Sequence, residues 1–261
     1  MRKVYLCQNK IESMLSALYE AWVHHRDEDV GIELIGYTEH KLFCDYITVV
    51  DSGKKAASIE KLIRKNLGDS SYFDIYHALL ADDGYKVEAV FKTIQAARDI
   101  QTSHRIMEHL TNDSVMKVFE LSRRVCHEAH LFTGFVRFRE LRGGILFSEI
   151  SPKGQVLTCI AEHFYNRFPL ENWLILDKTH NMSLVHPKEK PWFLVNHKEE
   201  EVSKLKKIAD VNVADGGYED LWQTFFTSVT IKERESYKRQ RGNLPLWYRE
   251  NMTEFQQKVK I

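Results

Sequence analysis

Several side chains near the middle of the chain are of types that transfer protons or bind metal ions. The segment CHEAH, residues 126–130, places Glu128 between two histidines, and His163 follows in a later apolar pattern. Glu128, His130 and His163 could act as acid, base or metal ligand if folding brought them into one pocket. A zincin helix spaces its histidines four residues apart, whereas His127 and His130 are three apart. We therefore predict no metal site and no cofactor, and interpret these side chains as exposed or hydrogen-bonded polar residues beside a buried cysteine. The alternative is a metal bound by His127 and His130 with Cys126 or a distant residue as a further ligand.

Arginine and aromatic residues alternate in the stretch that follows, LFTGFVRFRE at residues 131–140. If the part after the glycine is a β-strand, Arg137 and Arg139 share one face. Val136 and Phe138 then lie on the other face and form its buried backing. Because guanidinium groups bind phosphates through paired hydrogen bonds, the arginine face is predicted to bind an anion.

More basic and aromatic residues occur in HFYNRF and in the C-terminal stretch TIKERESYKRQRGNLPLWYRE. Cationic side chains contact phosphates, and aromatic rings stack on bases that leave a duplex, so this combination suits DNA or RNA. The alternative is a solvated surface on which the arginines pair with local carboxylates such as Glu233, Glu235 and Glu250. The predicted nucleic-acid-binding residues are Arg124, Arg137, Arg139, Arg167, Lys232, Arg234, Arg241, Trp247, Tyr248 and Arg249.

The apolar spacing predicts the elements that must position these residues. Helical periodicity runs from about residue 113 to Gly134, and 135–150 is predicted to form a β-hairpin. A further helix follows SPKG, and WLILD, SLVH and WFLV are typical of three short strands. The predicted fold class is α+β, with a small, mostly antiparallel central sheet flanked by helices, a helix-rich N-terminal region and a helical C-terminal tail.

A boundary is predicted near HLTND, where Asn112 or Asp113 can cap the following helix. Residues 1–110 would form an N-terminal α/β scaffold region. Residues 111–261 would form a C-terminal α+β domain that could pack with the first region as one unit.

Composition limits the class of protein. The 261 residues carry 37 basic and 37 acidic side chains, so a nucleic-acid site has to be a local basic patch. The four cysteines form no CxxC pair, and no apolar run is long enough for a membrane helix or a signal peptide. We expect a cytoplasmic protein without membrane contact. No P-loop, dinucleotide-binding or GxSxG motif is present.

Three ordered blocks carry a resemblance to a known family. They are RRVCHEAHLFTGFVRFRE, AEHFYNRFPLENWLILD and DLWQTFFTSVTIKERESYKRQRGNLPLWYRENMTEF. Over roughly residues 113–256 the chain resembles the bacterial putative DNA-metabolism or DNA-repair family that contains the domain of unknown function 4130. That resemblance implies DNA as a partner, together with a radical S-adenosylmethionine protein. This chain lacks the CxxxCxxC of an iron–sulfur cluster, so the partner would supply such chemistry.

Three hypotheses follow from these observations. The first is a DNA-binding accessory protein that presents DNA to the radical S-adenosylmethionine enzyme. The second is an enzyme acting on DNA through Glu128, His130 and His163. The third is a protein-binding partner without DNA contact, which fits the neutral net charge. The sequence indicates no oligomeric state.

Overall fold

The fold is α+β, as the sequence predicted. A computed structural model describes residues 1–25, 28–37, 41–100, 102–211, 222, 224–225, 228 and 236–255. The chain divides into two compact units, Met1–His127 and Glu128–Ile261. The predicted domain boundary near residue 110 stays a prediction.

The first unit is built on a parallel sheet of three strands in the order β2-β1-β3. Its strands are β1 (Arg2–Cys7), β2 (Gly31–Leu34) and β3 (Cys44–Thr48). Helix α1 (Ile11–His25) connects β1 to β2 and buries Met14, Leu18 and Ala21. The apolar residues of this helix recur three and four apart, which places them on one side, toward the core.

Three helices follow in the first unit. They are α2 (Gly53–Leu80), α3 (Lys86–Arg98) and, after a 3₁₀ turn at Ser103–Glu108, α4 (Asp113–Phe135), which continues into the second unit. Helix α2 is interrupted at Gly68, where φ is 83°. Asn112 caps α4, because its Oδ1 accepts hydrogen bonds from the backbone N–H of Ser114 and Val115.

The second unit is built on a five-stranded mixed sheet in the order β4-β5-β6-β7-β8. Its strands are β4 (Arg139–Leu141), β5 (Ile145–Ile150), β6 (Asn172–Asp177), β7 (Met182–His186) and β8 (Phe193–Asn196). Only the β5–β6 pair is parallel; the other neighbouring pairs of this sheet are antiparallel. The crossover between β5 and β6 contains helix α5 (Leu157–Arg167).

Helices contribute to the core of the second unit. Helix α6 (Glu199–Val211) packs Ala209 and Val202 against Phe147 and Leu176 of the sheet. Helix α7 (Tyr237–Asn243) and 3₁₀ turns at Leu246–Asn251 and Thr253–Phe255 follow. No helix among the described residues is long and apolar enough to cross a membrane.

The structure corrects the sequence prediction at residues 134–138. Helix α4 does not end at Gly134 but continues to Phe135, and the strand begins only at Arg139. The backbone at Gly134 has no positive φ, so the glycine does not act as a helix stop there. Val136 is buried, and Phe138 packs edge-to-face on Phe164 and Phe168, so the apolar backing is present without a strand at these positions.

Candidate nucleic-acid interface

The described residues 236–255, called here the C-terminal segment, contain most of the predicted C-terminal contacts. Ser236 is the N-cap of α7, and its hydroxyl accepts from the backbone N–H of Arg239. Pro245 precedes the 3₁₀ turn that carries Trp247, Tyr248 and Arg249. Residues 236–249 hold four cationic side chains and no acidic one.

Tyr248 anchors the C-terminal segment. It is 5% exposed, and its ring lies 5.0 Å from the rings of Phe132 and Phe135 at the end of α4. Both contacts are edge-to-face, the arrangement that aromatic quadrupoles favour. Burial, with the nearby charge of Glu128, raises the pKa of the Tyr248 phenol. In this structure Tyr248 is therefore a core residue whose ring is closed to a base.

Arg137 and Glu254 form the second anchor. The guanidinium Nη2 lies 2.8 Å from Glu254 Oε1, and Nε donates to the same carboxylate. Arg137 Nη1 donates to the carbonyl of Gly134 at 2.8 Å, so the same side chain caps the end of α4. Burial alone would raise the pKa of the Glu254 carboxyl, but Arg137, together with hydrogen bonds from the Glu254 backbone and Trp222, holds that pKa below its usual range.

Two further polar contacts join the C-terminal segment to the residues that directly follow β5 and β6. Asn251 Nδ2 donates to Ser151 Oγ at 3.2 Å, and Lys178 Nζ lies 3.1 Å from Glu250 Oε1. Arg249 stays within the segment, donating to the carbonyl of Leu244 and lying 4.7 Å over the ring of Phe255. The turn at Leu246–Asn251 is therefore held by contacts to Ser151 and Lys178 and by contacts within the C-terminal segment.

Arg139 is also engaged inside the second unit. Its Nη2 lies 2.9 Å from Asp210 Oδ1 and 3.2 Å from Glu149 Oε1. The guanidinium also lies 5.1 Å over the ring of Phe147. Like Arg137, this arginine has its charge balanced within the fold, so phosphate binding by either one stays a prediction that would require breaking an ion pair.

The cations of α7 have a different environment. Lys238, Arg239 and Arg241 are exposed, and none forms an ion pair with another residue in the part of the chain that the structure describes. Tyr237, the first residue of the helix, is 74% exposed. Arg241 lies one turn after Tyr237, and residues four apart share a helix face. This short helix therefore presents an unbalanced positive surface beside an open aromatic ring.

The remaining predicted contacts lie on separate elements. Arg124 is exposed on α4, within the first unit. Arg167 is exposed at the end of α5, with its guanidinium 5.6 Å over the ring of Phe168. Trp247 is half-buried, packed on Tyr248 and with Lys153 Nζ 5.5 Å from its ring. Lys232 and Arg234 lie outside the described residues.

Glu128, His130 and His163 do not form a cluster. Both carboxylate oxygens of Glu128 accept backbone N–H groups, from Lys153 at 2.8 Å and from Gly154 at 2.9 Å. The buried Glu128 therefore holds the loop before α5. His130 is exposed on α4, about 200° around the helix from Glu128. His163 is exposed on α5, and no group of three metal-ligating residues occurs among the described residues.

The structure brings together two histidine pairs that sequence reasoning missed. His180 Nδ1 lies 2.7 Å from Asp177 Oδ2, in the turn after β6, where Asp177 Oδ1 also accepts two backbone N–H groups. His197 Nε2 lies 2.8 Å from Ser183 Oγ, but Ser183 is 0% exposed, so no substrate can reach its hydroxyl. The Asp177–His180 spacing is a turn signal that the sequence does contain; Ser183 and His197 carry none.

The fold and these contacts define an α+β protein whose second unit carries an anchored, basic C-terminal segment. A family model described as "Domain of unknown function (DUF4130)" matches residues 85–254. The match covers more than half of the chain, so the protein belongs to this family, as the resemblance implied. It extends from before α3 to Glu254, the partner of Arg137. No curated protein matches the chain.

Proposed function

We propose that this protein binds DNA through helix α7 and works in DNA metabolism or repair. The observation that supports the proposal is the contrast between two groups of basic residues. Arg137 and Arg139 are balanced by Glu254, Glu149 and Asp210. The three cations of α7 have no such carboxylates among the described residues.

The electrostatics of binding favour such a patch. A duplex carries condensed counterions, and each cation that neutralises a phosphate releases them, which drives association. A guanidinium already paired with a carboxylate contributes little, because its charge is cancelled locally. Since the chain has 37 basic and 37 acidic residues, steering of DNA has to come from a local field such as that of α7.

The proposal includes an accessory role. The family resemblance implies a radical S-adenosylmethionine enzyme as the companion, and the clustered catalytic set that an independent enzyme needs is not formed by Glu128, His130 and His163. The protein would hold DNA and present it to that enzyme. Turnover of the companion enzyme on DNA should then rise when this protein is added and should not rise with the α7 variant described next.

A triple substitution tests DNA binding. Lys238→Gln, Arg239→Gln and Arg241→Gln together remove the unbalanced charge and leave Tyr248, Arg137 and Glu254 in place. At low salt we expect at least about 10-fold weaker binding of a fluorescent duplex, measured by anisotropy. The plot of log affinity against log salt should become shallower by about 2 to 3, since each lost phosphate contact removes about 0.9.

A second triple variant provides the matched control. Lys204→Gln, Lys206→Gln and Lys207→Gln remove the same charge from exposed positions of α6, which begins with three glutamates. We expect this variant to bind DNA with an affinity within about 2-fold of the wild type, since these lysines share their helix with glutamates whose negative charge opposes DNA binding. An equal loss of DNA affinity in both variants, or no DNA binding by the wild-type protein, would contradict the proposal.

A further inference from the structure

The exposed ring of Tyr237 indicates which form of DNA the α7 surface takes. Tyr237 is 74% exposed, more than the other aromatic residues of the C-terminal segment. Its side chain makes no hydrogen bond or ring contact with any residue that the structure describes. Tyr248, eleven positions later, is 5% exposed and fully engaged with other rings. The two tyrosines therefore have different roles.

The surroundings of Tyr237 are cationic. Lys238 follows it directly, and Arg241 lies one turn further along the same helix face. An aromatic ring with free faces, flanked by charges that can follow a phosphate backbone, is the arrangement that binds unpaired nucleotides. In a duplex the bases are stacked on each other, so the ring would find no base face there.

Trp247 is less suited to this role. It is half-buried, its ring lies 4.0 Å from that of Tyr248, and Lys153 Nζ lies 5.5 Å from its centre. The indole is therefore already in contact with an aromatic ring and a cation. Among the aromatic residues of the C-terminal segment, Tyr237 is the one that offers its ring to a ligand.

We infer that α7 binds single-stranded DNA, with Tyr237 stacking on a base while Lys238 and Arg241 contact the adjacent phosphates. This inference rests on the proposed DNA binding and deepens it by naming the form of DNA. The protein should therefore bind an oligothymidine of about 20 nucleotides more tightly than a duplex of equal length at the same salt concentration.

The test substitutes Tyr237 alone. Because stacking of one base on an aromatic side chain is worth about 1 to 3 kcal/mol, Tyr237→Ala should weaken oligothymidine binding by about 5-fold or more. Duplex binding should change by less than about 2-fold, because the phosphate contacts remain. Tyr237→Phe keeps the ring and should bind the single strand like the wild type. Phe193→Ala removes an exposed aromatic residue from β8 and serves as the control, which should bind both DNAs normally.

A spectroscopic signal reports stacking directly. When 2-aminopurine replaces one base of the oligothymidine, stacking on Tyr237 should quench its emission with saturating wild-type protein and with Tyr237→Phe. The quenching should be lost with Tyr237→Ala. If Tyr237→Ala binds the single strand as tightly as the wild type does, or if it lowers the affinity for both DNAs equally, the inference is overturned while DNA binding by α7 stands. If the wild-type protein binds neither DNA, both fail.

Discussion

At the scale of single residues, the partner of an arginine determines what that arginine can do. Arg137 and Arg241 are the same residue type, and both lie beside other arginines in the sequence. Arg137, however, meets Glu254, which is 117 positions away along the chain. The sequence predicted that the stretch around Arg137 bears charge, but it could not predict this partner, because only the fold brings the two residues together.

The ion pair of Arg137 and Glu254 should stabilise the second unit strongly. The Glu254 side chain is 2% exposed, so replacing Arg137 leaves a buried carboxylate without its cation. Arg137→Met should lower the free energy of unfolding by about 3 kcal/mol, measured in urea. The same substitution at Arg139 should cost about 1 kcal/mol or less, because its partner Asp210 is half-exposed and its other partner, Glu149, keeps Lys178 Nζ at 3.6 Å.

The sign of the pH dependence can be predicted for the stability difference between the wild type and Arg137→Met. The pKa of Glu254 is lowered in the folded protein, so the pair stabilises the fold above the ordinary glutamate pKa of about 4.3. The stabilisation is lost as pH falls through the lower folded-state pKa. The gap between wild type and Arg137→Met should therefore be largest near pH 7 and close in acid. A gap that stays constant into acid would mean that Arg137 acts only through packing and its backbone contacts.

At the scale of elements, hydrophobic spacing was a good guide to where helices and strands lie and a poor guide to where they end. The spacing predicted α4, the hairpin strand β5 and the strands β6 to β8. It missed α6, although Val202, Leu205 and Ala209 are spaced as one helix face, because charged residues dominate that stretch. The last turn of α4 depends on Phe132 and Phe135 packing on Tyr248, a tertiary contact that local spacing does not contain.

Gly134 provides a test of the revised helix end. It lies inside α4 with no positive φ, and a Cβ built on it meets no atom within 4 Å. Gly134→Ala should therefore stabilise the protein by about 0.5 to 1 kcal/mol, since alanine loses less backbone entropy on folding. Thermal unfolding followed by circular dichroism would show a higher midpoint.

Gly143 serves as the matched control for that substitution. It also has free space around it, but its φ is +96°, which an alanine adopts only with strain. Gly143→Ala should lower the unfolding midpoint. A lower midpoint for Gly134→Ala as well would indicate that the helix ends at Gly134 after all.

At the scale of the whole molecule, the formal charge is zero, but the positive and negative charges are unevenly distributed. Arg137 and Arg139 are balanced by carboxylates, whereas the cations of α7 have none among the described residues. The sequence could show that a nucleic-acid site had to be local. It could not show which cations the fold neutralises, because the carboxylates involved come from other elements.

The first unit contains a charged group in an unusual place, the amine of Lys86. Lys86 is 0% exposed, and its Nζ donates to Asn9 Oδ1 at 2.7 Å and to the carbonyl of Ala81 at 2.8 Å. Burial lowers the pKa of this amine to about 8, against the opposing effect of Asp82, Cys7 and Asp83. The unfolded chain keeps the proton up to about pH 10.4.

Lys86 should consequently make a contribution to the free energy of unfolding that rises with pH. Between about pH 8 and 10.4 the unfolded state binds more protons at Lys86 than the folded state, so deprotonation favours folding. The free energy of unfolding of the wild type, minus that of Lys86→Met, should grow by about 2 kcal/mol between pH 7.5 and 9.5, at most 1.4 kcal/mol per pH unit. Tyrosines and thiols are common to both proteins, so the difference between the two unfolding free energies isolates the contribution of Lys86. Parallel stability curves over this range would mean that the buried amine does not release its proton, and that its two hydrogen bonds stabilise the charged form more than burial opposes it.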